Sequence, residues 1–147
     1  MEIERKYLVR KLPDHLDSYP CRRIEQGYLC IEPVVRIRRD DDRCELTYKS
    51  KGLMIREEHN LPLTQEAYQH MLPKIDGRLI QKKRYLLPLP GSLTAELDLF
   101  EGELAPLQLV EVEFPDEETA NAFIPPDWFG EDVTFSSKYH NSNLSRR

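Results

Sequence analysis

Residues 34–51 read Val34-Val35-Arg36-Ile37-Arg38-Arg39-Asp40-Asp41-Asp42-Arg43-Cys44-Glu45-Leu46-Thr47-Tyr48-Lys49-Ser50-Lys51. Apolar and polar side chains alternate on both sides of the three aspartates, and alternation is the period of a strand with two unlike faces. Aspartate favours turns, so the stretch predicts a hairpin joining strands over 34–40 and 43–51. The same alternation recurs over 2–9, 22–31, 54–62, 79–87, 93–100 and 107–114, and a further strand is expected over 132–139. A helix is predicted over 63–75, with Thr64 as its cap, Met71, Leu72 and Ile75 as a partial apolar stripe, and Pro73 ending or bending it. A second is predicted over 116–124, capped by Asp116, with Ala120, Phe123 and Ile124 inward. Eight or nine strands with two short helices predict a mainly β, mostly antiparallel fold in which the sheet can close on itself.

The chain has 147 residues, the size of one domain spanning 1–147. Charged residues are 32% and apolar ones 39%, too apolar for a disordered chain. Net charge is −5, which argues against a nucleic-acid or anionic-membrane binder, since both rely on a basic surface. No apolar run approaches the roughly 18 residues of a membrane span, and residues 1–6 carry nothing resembling a signal sequence. Cys21, Cys30 and Cys44 form no CxxC pair and read as reduced thiols of a cytoplasmic protein. His15, His59, His70 and His140 lack ligand spacing, and there is no Walker loop, GxGxxG, HExxH or GxSxG. Nucleophilic covalent catalysis has no support.

The informative feature is the polar face of the strands. Charges of one sign come in alternating pairs: Glu2 and Glu4 (followed on the same face by Lys6), Arg36 and Arg38, Lys49 and Lys51, Lys82 and Arg84, Glu96 and Asp98, Glu111 and Glu113. Like charges two apart on a strand are about 7 Å apart and repel unless something of opposite sign intervenes. Solvated, cross-paired sheet faces account for such a pair singly. Six together predict faces that converge on a shared interior. Clustered carboxylates there suit a hard divalent cation, and clustered Arg and Lys suit the oxygens of a polyphosphate. Alternation assigns each residue a face without saying which way the face points.

The opening Glu2-Ile3-Glu4-Arg5-Lys6 is an ExExK motif that resembles the signature of the CYTH superfamily, the triphosphate tunnel metalloenzymes. The likeness continues through Val35-Arg36-Ile37-Arg38, Thr47-Tyr48-Lys49-Ser50-Lys51-Gly52, Arg56-Glu57-Glu58, Ile80-Gln81-Lys82-Lys83-Arg84-Tyr85, Glu96-Leu97-Asp98-Leu99-Phe100, Leu109-Val110-Glu111-Val112-Glu113-Phe114 and Lys138-Tyr139-His140-Asn141. The resemblance implies a closed eight-stranded antiparallel β-barrel, a tunnel accepting a triphosphate with Mg²⁺ or Mn²⁺. It implies metal-site carboxylates at Glu2, Glu4, Glu96, Asp98, Glu111 and Glu113. Phosphate ligands are implied at Lys6, Arg36, Arg38, Lys49, Lys82 and Arg84, with Lys51 and Lys138 in the same role. Glu2, Glu4, Lys6 and Glu58 are the implied catalytic set. Asn60 stands where many relatives have Glu, and a bulge would turn Glu57 inward in place of Glu58. The expected activity is hydrolysis of tripolyphosphate or another small triphosphate, in a possible homodimer. The alternatives are a class IV-type adenylate cyclase, for which Trp128 and Phe129 are candidate base-stacking residues, and a non-enzymatic polyphosphate-binding module.

Overall fold

The computed structural model describes residues 1–146. Its strands are β1 (Glu2–Val9), β2 (Cys21–Cys30), β3 (Val34–Asp40), β4 (Arg43–Lys49), β5 (Ile55–Arg56), β6 (Glu58–Leu63), β7 (Asp76–Leu89), β8 (Leu93–Phe100), β9 (Gln108–Glu113) and β10 (Phe129–Asp132). The helices α1 (Gln65–Met71), α2 (Glu117–Ala122) and α3 (Asn141–Leu144) are short. Every strand pairing is antiparallel, in the order β10-β1-β9-β8-β7-β2-β3-β4-β6, with β5 on β1. The fold is therefore mainly β with a few short helices, as the alternation predicted. The hairpin around Asp40-Asp41-Asp42 pairs Asp40 with Arg43 and Val34 with Lys49.

The expected closed barrel is not a continuous ladder. The strand that would complete it is split into β5, which pairs with β1 only at Glu2–Arg56 and Ile3–Ile55, and β6, which pairs with β4. The break falls at Glu57. Its carbonyl accepts from the Ser50 N–H at 3.0 Å, while its own N–H turns to the Ser50 hydroxyl at 2.9 Å. A side chain thus replaces one rung, and Glu57 is left exposed while Glu58 keeps the inner face.

Helix caps follow the sequence. Thr64 accepts from the Ala67 N–H at 3.0 Å, and Asp116 from that of Thr119 at 2.6 Å. The strand expected over 132–139 does not form. The Asp132 carboxylate instead takes the Thr134 N–H at 2.9 Å and its hydroxyl at 2.6 Å, a local turn that competes with strand pairing. A 3-10 turn at Ser137–Tyr139 and α3 follow.

Each strand sends one set of side chains outward and one inward. The outward set Tyr7, Leu97, Val110 and Val112 is covered by Ala120 of α2, by Phe123 just after it and by Phe129. On the opposite flank Ile37 and Cys44 are covered by Tyr68 of α1. Trp128 packs edge-on against Phe129 at 4.5 Å in the outer cluster, away from the inward set.

The inward set changes character along each strand. Glu2, Glu4 and Lys6 of β1 lead to Leu8; Glu113 and Glu111 of β9 lead to Leu109; Glu96 and Asp98 of β8 lead to Phe100; Arg84 and Lys82 of β7 lead to Ile80. Leu8 pairs with Leu109 across the ladder. These apolar ends join Tyr28, Val34, Val133 and Leu144 in one cluster. The interior is thus ionic at one end and apolar at the other, and α3 fills the apolar end.

Candidate active site

The ionic half of the interior encloses a cavity of about 230 Å³. Eight cations line it (Lys6, Arg22, Arg36, Arg38, Arg43, Lys49, Arg56, Arg84), against eight acids (Glu2, Glu4, Asp40, Glu45, Glu58, Glu96, Glu111, Glu113). Tyr28, Val34, Asn141 and Ser142 complete the wall. The balanced count matters because burial of so many unpaired charges of one sign would cost several kcal/mol each.

The two signs are not evenly mixed. On the β7–β8 wall, Arg84 grips Asp98 with both forks, at 2.8 and 2.9 Å, and reaches Glu96 at 3.2 Å. Lys82 holds the same Asp98 at 2.7 Å, and both of those partners are fully buried. On the β3 wall the guanidinium groups lack such partners. The nearest carboxylate to Arg36 is Glu45 at 3.9 Å, and Arg36 Nε is buried with no hydrogen-bond partner. Arg38 Nε donates to Gln26 at 2.8 Å. Burial, then the neighbouring Arg36 and Arg84, push the Arg38 pKa down to about 9. Arg36 Nη2 donates to the Thr47 hydroxyl at 3.0 Å, and both guanidinium groups line the cavity.

The carboxylates stand in pairs. Glu2 lies between Lys49, at 3.0 Å, and Glu58. Burial raises the Glu2 carboxyl to about 7, with Lys49 opposing and Glu58 adding to the rise. Glu58 feels burial too, but its hydrogen bond with Glu2 and the Lys49 ammonium at 3.3 Å hold it down to about 2. Glu4 and Glu111 form a similar pair: burial, then the Glu111 charge, drive Glu4 well up. Burial works on Glu111 as well, and Lys6 and Arg84 outweigh it and bring it well down. Glu111 Oε1 is buried without a hydrogen-bond partner. Lys6 sits 3.8 Å from Glu111 and donates to the Tyr139 carbonyl at 2.9 Å.

Of the residues singled out in the sequence, Glu2, Glu4, Lys6, Arg36, Arg38, Lys49, Glu58, Arg84, Glu96, Glu111 and Glu113 are brought together around the cavity. Lys82 and Asp98 lie behind the wall, fully buried against each other and Arg84. Lys51 and Lys138 are not in the wall: Lys51 is exposed and pairs with Glu32 at 2.7 Å, and Lys138 is exposed over the Tyr139 ring. Arg22, Asp40, Arg43, Glu45 and Arg56 were not singled out, yet they form the rim. They share the parity of Gln26, Arg38, Lys49 and Glu58 on their strands, so extending the alternation regardless of sign finds them.

A curated inorganic triphosphatase of Nitrosomonas europaea is 42% identical over 148 residues, spanning 98% of this chain and 96% of its own length. Another, of Acetivibrio thermocellus, is 35% identical over 152 residues, spanning 97% and 92%. The chain belongs to the inorganic triphosphatase family. No protein-family profile matches it. The crystal structure of an inorganic triphosphatase, 38% identical, superposes with a TM-score of 0.74 over 100% of this chain and 95% of that one. A Hippeastrum protein of the adenylyl cyclase type, described as having a dominant triphosphatase activity, shares the fold at 18% identity, with a TM-score of 0.60 over 82% and 83% of the two chains. The inorganic triphosphatase family thus falls where the CYTH resemblance of the sequence placed this chain.

Proposed function

We propose that this chain is a metal-dependent hydrolase of inorganic tripolyphosphate, working in the cavity between β1, β3, β4, β7, β8 and β9. The observation that carries the reading is the buried guanidinium pair Arg36–Arg38, held by Thr47, Gln26 and a distant Glu45 with no close carboxylate, in one cavity with the paired carboxylates Glu2–Glu58 and Glu4–Glu111. An almost wholly ionic lining favours an inorganic chain over a nucleotide, since Trp128 packs elsewhere and Tyr28 is the only aromatic residue in the described wall. The split strand β5–β6 is read as the eighth stave of a tunnel, closed through the Glu2–Arg56 and Ile3–Ile55 pairs.

Arg36, Arg38, Lys49, Arg84 and Lys6 would bind the phosphate oxygens and hold the chain extended. Their charge is maintained as the diphosphate leaves, so the protein has little covalent chemistry to perform. Asp98 keeps Arg84 and Lys82 in place from behind. Glu2, whose pKa of about 7 matches the working range of a general base, would take the proton of the attacking water and share it with Glu58.

Balance of charge argues for a cation. Eight bases against eight acids leave nothing to offset a polyanion. Among the described residues no ready-made cage of three or more His, Cys, Asp or Glu exists. The donors are nevertheless all carboxylate oxygens, and Glu111 Oε1 lacks a partner. That set suits Mg²⁺ or Mn²⁺, which accept one or two carboxylates and complete their shell from phosphates and water. Glu111, Glu113 and Glu4 would hold the ion, with Glu96 beside them in the lining. Bound there, it would neutralise phosphate oxygens and sharpen the electrophile. The three free cysteines fit a reducing, cytoplasmic setting.

The test is an assay with tripolyphosphate, ATP and thiamine triphosphate, each with Mg²⁺ and Mn²⁺, following phosphate and cyclic AMP together. Phosphate release from tripolyphosphate is expected. Glu111→Gln should lower kcat at least a hundredfold with the fold intact by circular dichroism, and Arg38→Ala should chiefly raise KM. Cyclic AMP as the main product, or unchanged kinetics in both variants, would overturn the reading.

A further inference from the structure

The interior has one apolar end, and the segment after β10 packs onto it as a plug. Leu144 of α3 is seated in the cluster of Tyr28, Val34, Ile80, Phe100 and Leu109. The segment is fastened to the start of β7: Ser145 O accepts the Arg78 N–H at 2.6 Å, and Leu144 O accepts Arg78 Nε at 2.8 Å. Gly77 is the residue that permits this approach, because a Cβ there would stand 2.1 Å from Ser145 O. The plug is therefore a packed part of the wall.

Its tip reaches the ionic compartment. Asn141 and Ser142 line the cavity beside Tyr28 and Val34, the two wall residues that also belong to the apolar cluster. Asn141 Oδ1 is buried and has no hydrogen-bond partner. A buried amide oxygen without a donor costs about 1–3 kcal/mol, so such a group is retained where something else satisfies it. Next to it, the Tyr139 carbonyl ties down Lys6 at 2.9 Å. The plug thus contributes one neutral amide to the lining and a carbonyl that fixes the Lys6 ammonium of β1.

We propose that Asn141 is a substrate-binding residue that reads the end of the phosphate chain and so sets the length the site accepts. Arginine and lysine bind any phosphate of a linear polyanion equally well and cannot define its register. A stop can. The amide is both donor and acceptor: its Nδ2 donates to an oxygen of the terminal phosphate, and its Oδ1 accepts from a water, or a phosphate hydroxyl, on the same group. Leu144 and the apolar cluster behind it allow no further phosphate. This rests on the tripolyphosphatase reading.

The experiment compares wild type with Asn141→Ala, Asn141→Asp and Asn141→Gln, using tripolyphosphate and tetrapolyphosphate at saturating Mg²⁺. Binding is measured by calorimetry alongside turnover. Asn141→Ala should raise KM for tripolyphosphate roughly tenfold, the value of one hydrogen bond to a charged group. Asn141→Asp should weaken binding further, because it places a carboxylate against the terminal phosphate. Asn141→Gln, longer by one methylene, should change the ratio of tripolyphosphate to tetrapolyphosphate turnover, which a loosened plug alone would not do. Unchanged KM and unchanged length ratio in all three overturn the assignment. If wild type binds tripolyphosphate without hydrolysing it, the function fails, and the affinities of the variants still decide Asn141. If wild type neither binds nor turns it over, both fall.

Discussion

Asp98 shows how one carboxylate can hold two cations. It accepts from Lys82 at 2.7 Å and from both forks of Arg84 at 2.8 and 2.9 Å, in a place with no solvent exposure. Asp98→Asn leaves two buried cations facing a neutral group and is expected to cost about 3–5 kcal/mol in urea unfolding. His140 carries a pH dependence. Its side chain is buried beside Lys6 and Arg56, and burial first, then those two cations, bring its pKa from 6.5 down to about 4. The unfolded chain therefore binds the extra proton more readily, and stability is lost as pH falls from 6.5 through 4. Unfolding free energy measured across that window should slope less in His140→Asn than in wild type. At this scale the sequence showed which side chains share a face. Spacing could not show depth, so Lys82 and Asp98 looked equivalent to Arg84 and Glu96 although they lie behind the wall. A search for like-signed pairs also passed over Arg43, Glu45 and Arg56, whose neighbours on the face carry the opposite charge.

Strand β7 and α3 meet where glycine is required. Gly77 has φ +70 and faces the Ser145 carbonyl at 2.1 Å from an added Cβ. Gly77→Ala combines a left-handed backbone with a clash, and is expected to cost about 2 kcal/mol or more. Its denaturation midpoint should drop, with a rise in KM if the plug is displaced. The elements themselves were legible wherever alternation ran for six or more residues, as in β1, β3, β4 and β9. Two features were not. The Asp132–Thr134 turn that replaces a strand over 132–139 depends on side chain to backbone bonds that compete with pairing. The interruption at Glu57 depends on the Ser50 hydroxyl, seven residues away. Neither leaves a periodic trace.

For the molecule as a whole, the six charged pairs in the sequence pointed to a shared interior, and eleven of the candidate residues line one cavity. The change from ionic to apolar along that interior was also written in the chain, as Leu8 after Lys6, Leu109 before Glu111 and Phe100 after Asp98. It was unreadable until the fold gathered those positions into one cluster at one end. Leu144 of α3 is packed into that apolar end, while Arg22, Arg43, Arg56 and Glu113 belong to the ionic lining. Orthophosphate and diphosphate should accordingly behave as competitive inhibitors in steady-state kinetics, raising KM for tripolyphosphate and leaving kcat untouched. A noncompetitive pattern for both would mean that neither product occupies the cations that bind the substrate. The products carry the same phosphate groups as the substrate and compete for the same cations, so each round of turnover must clear them before the next can begin.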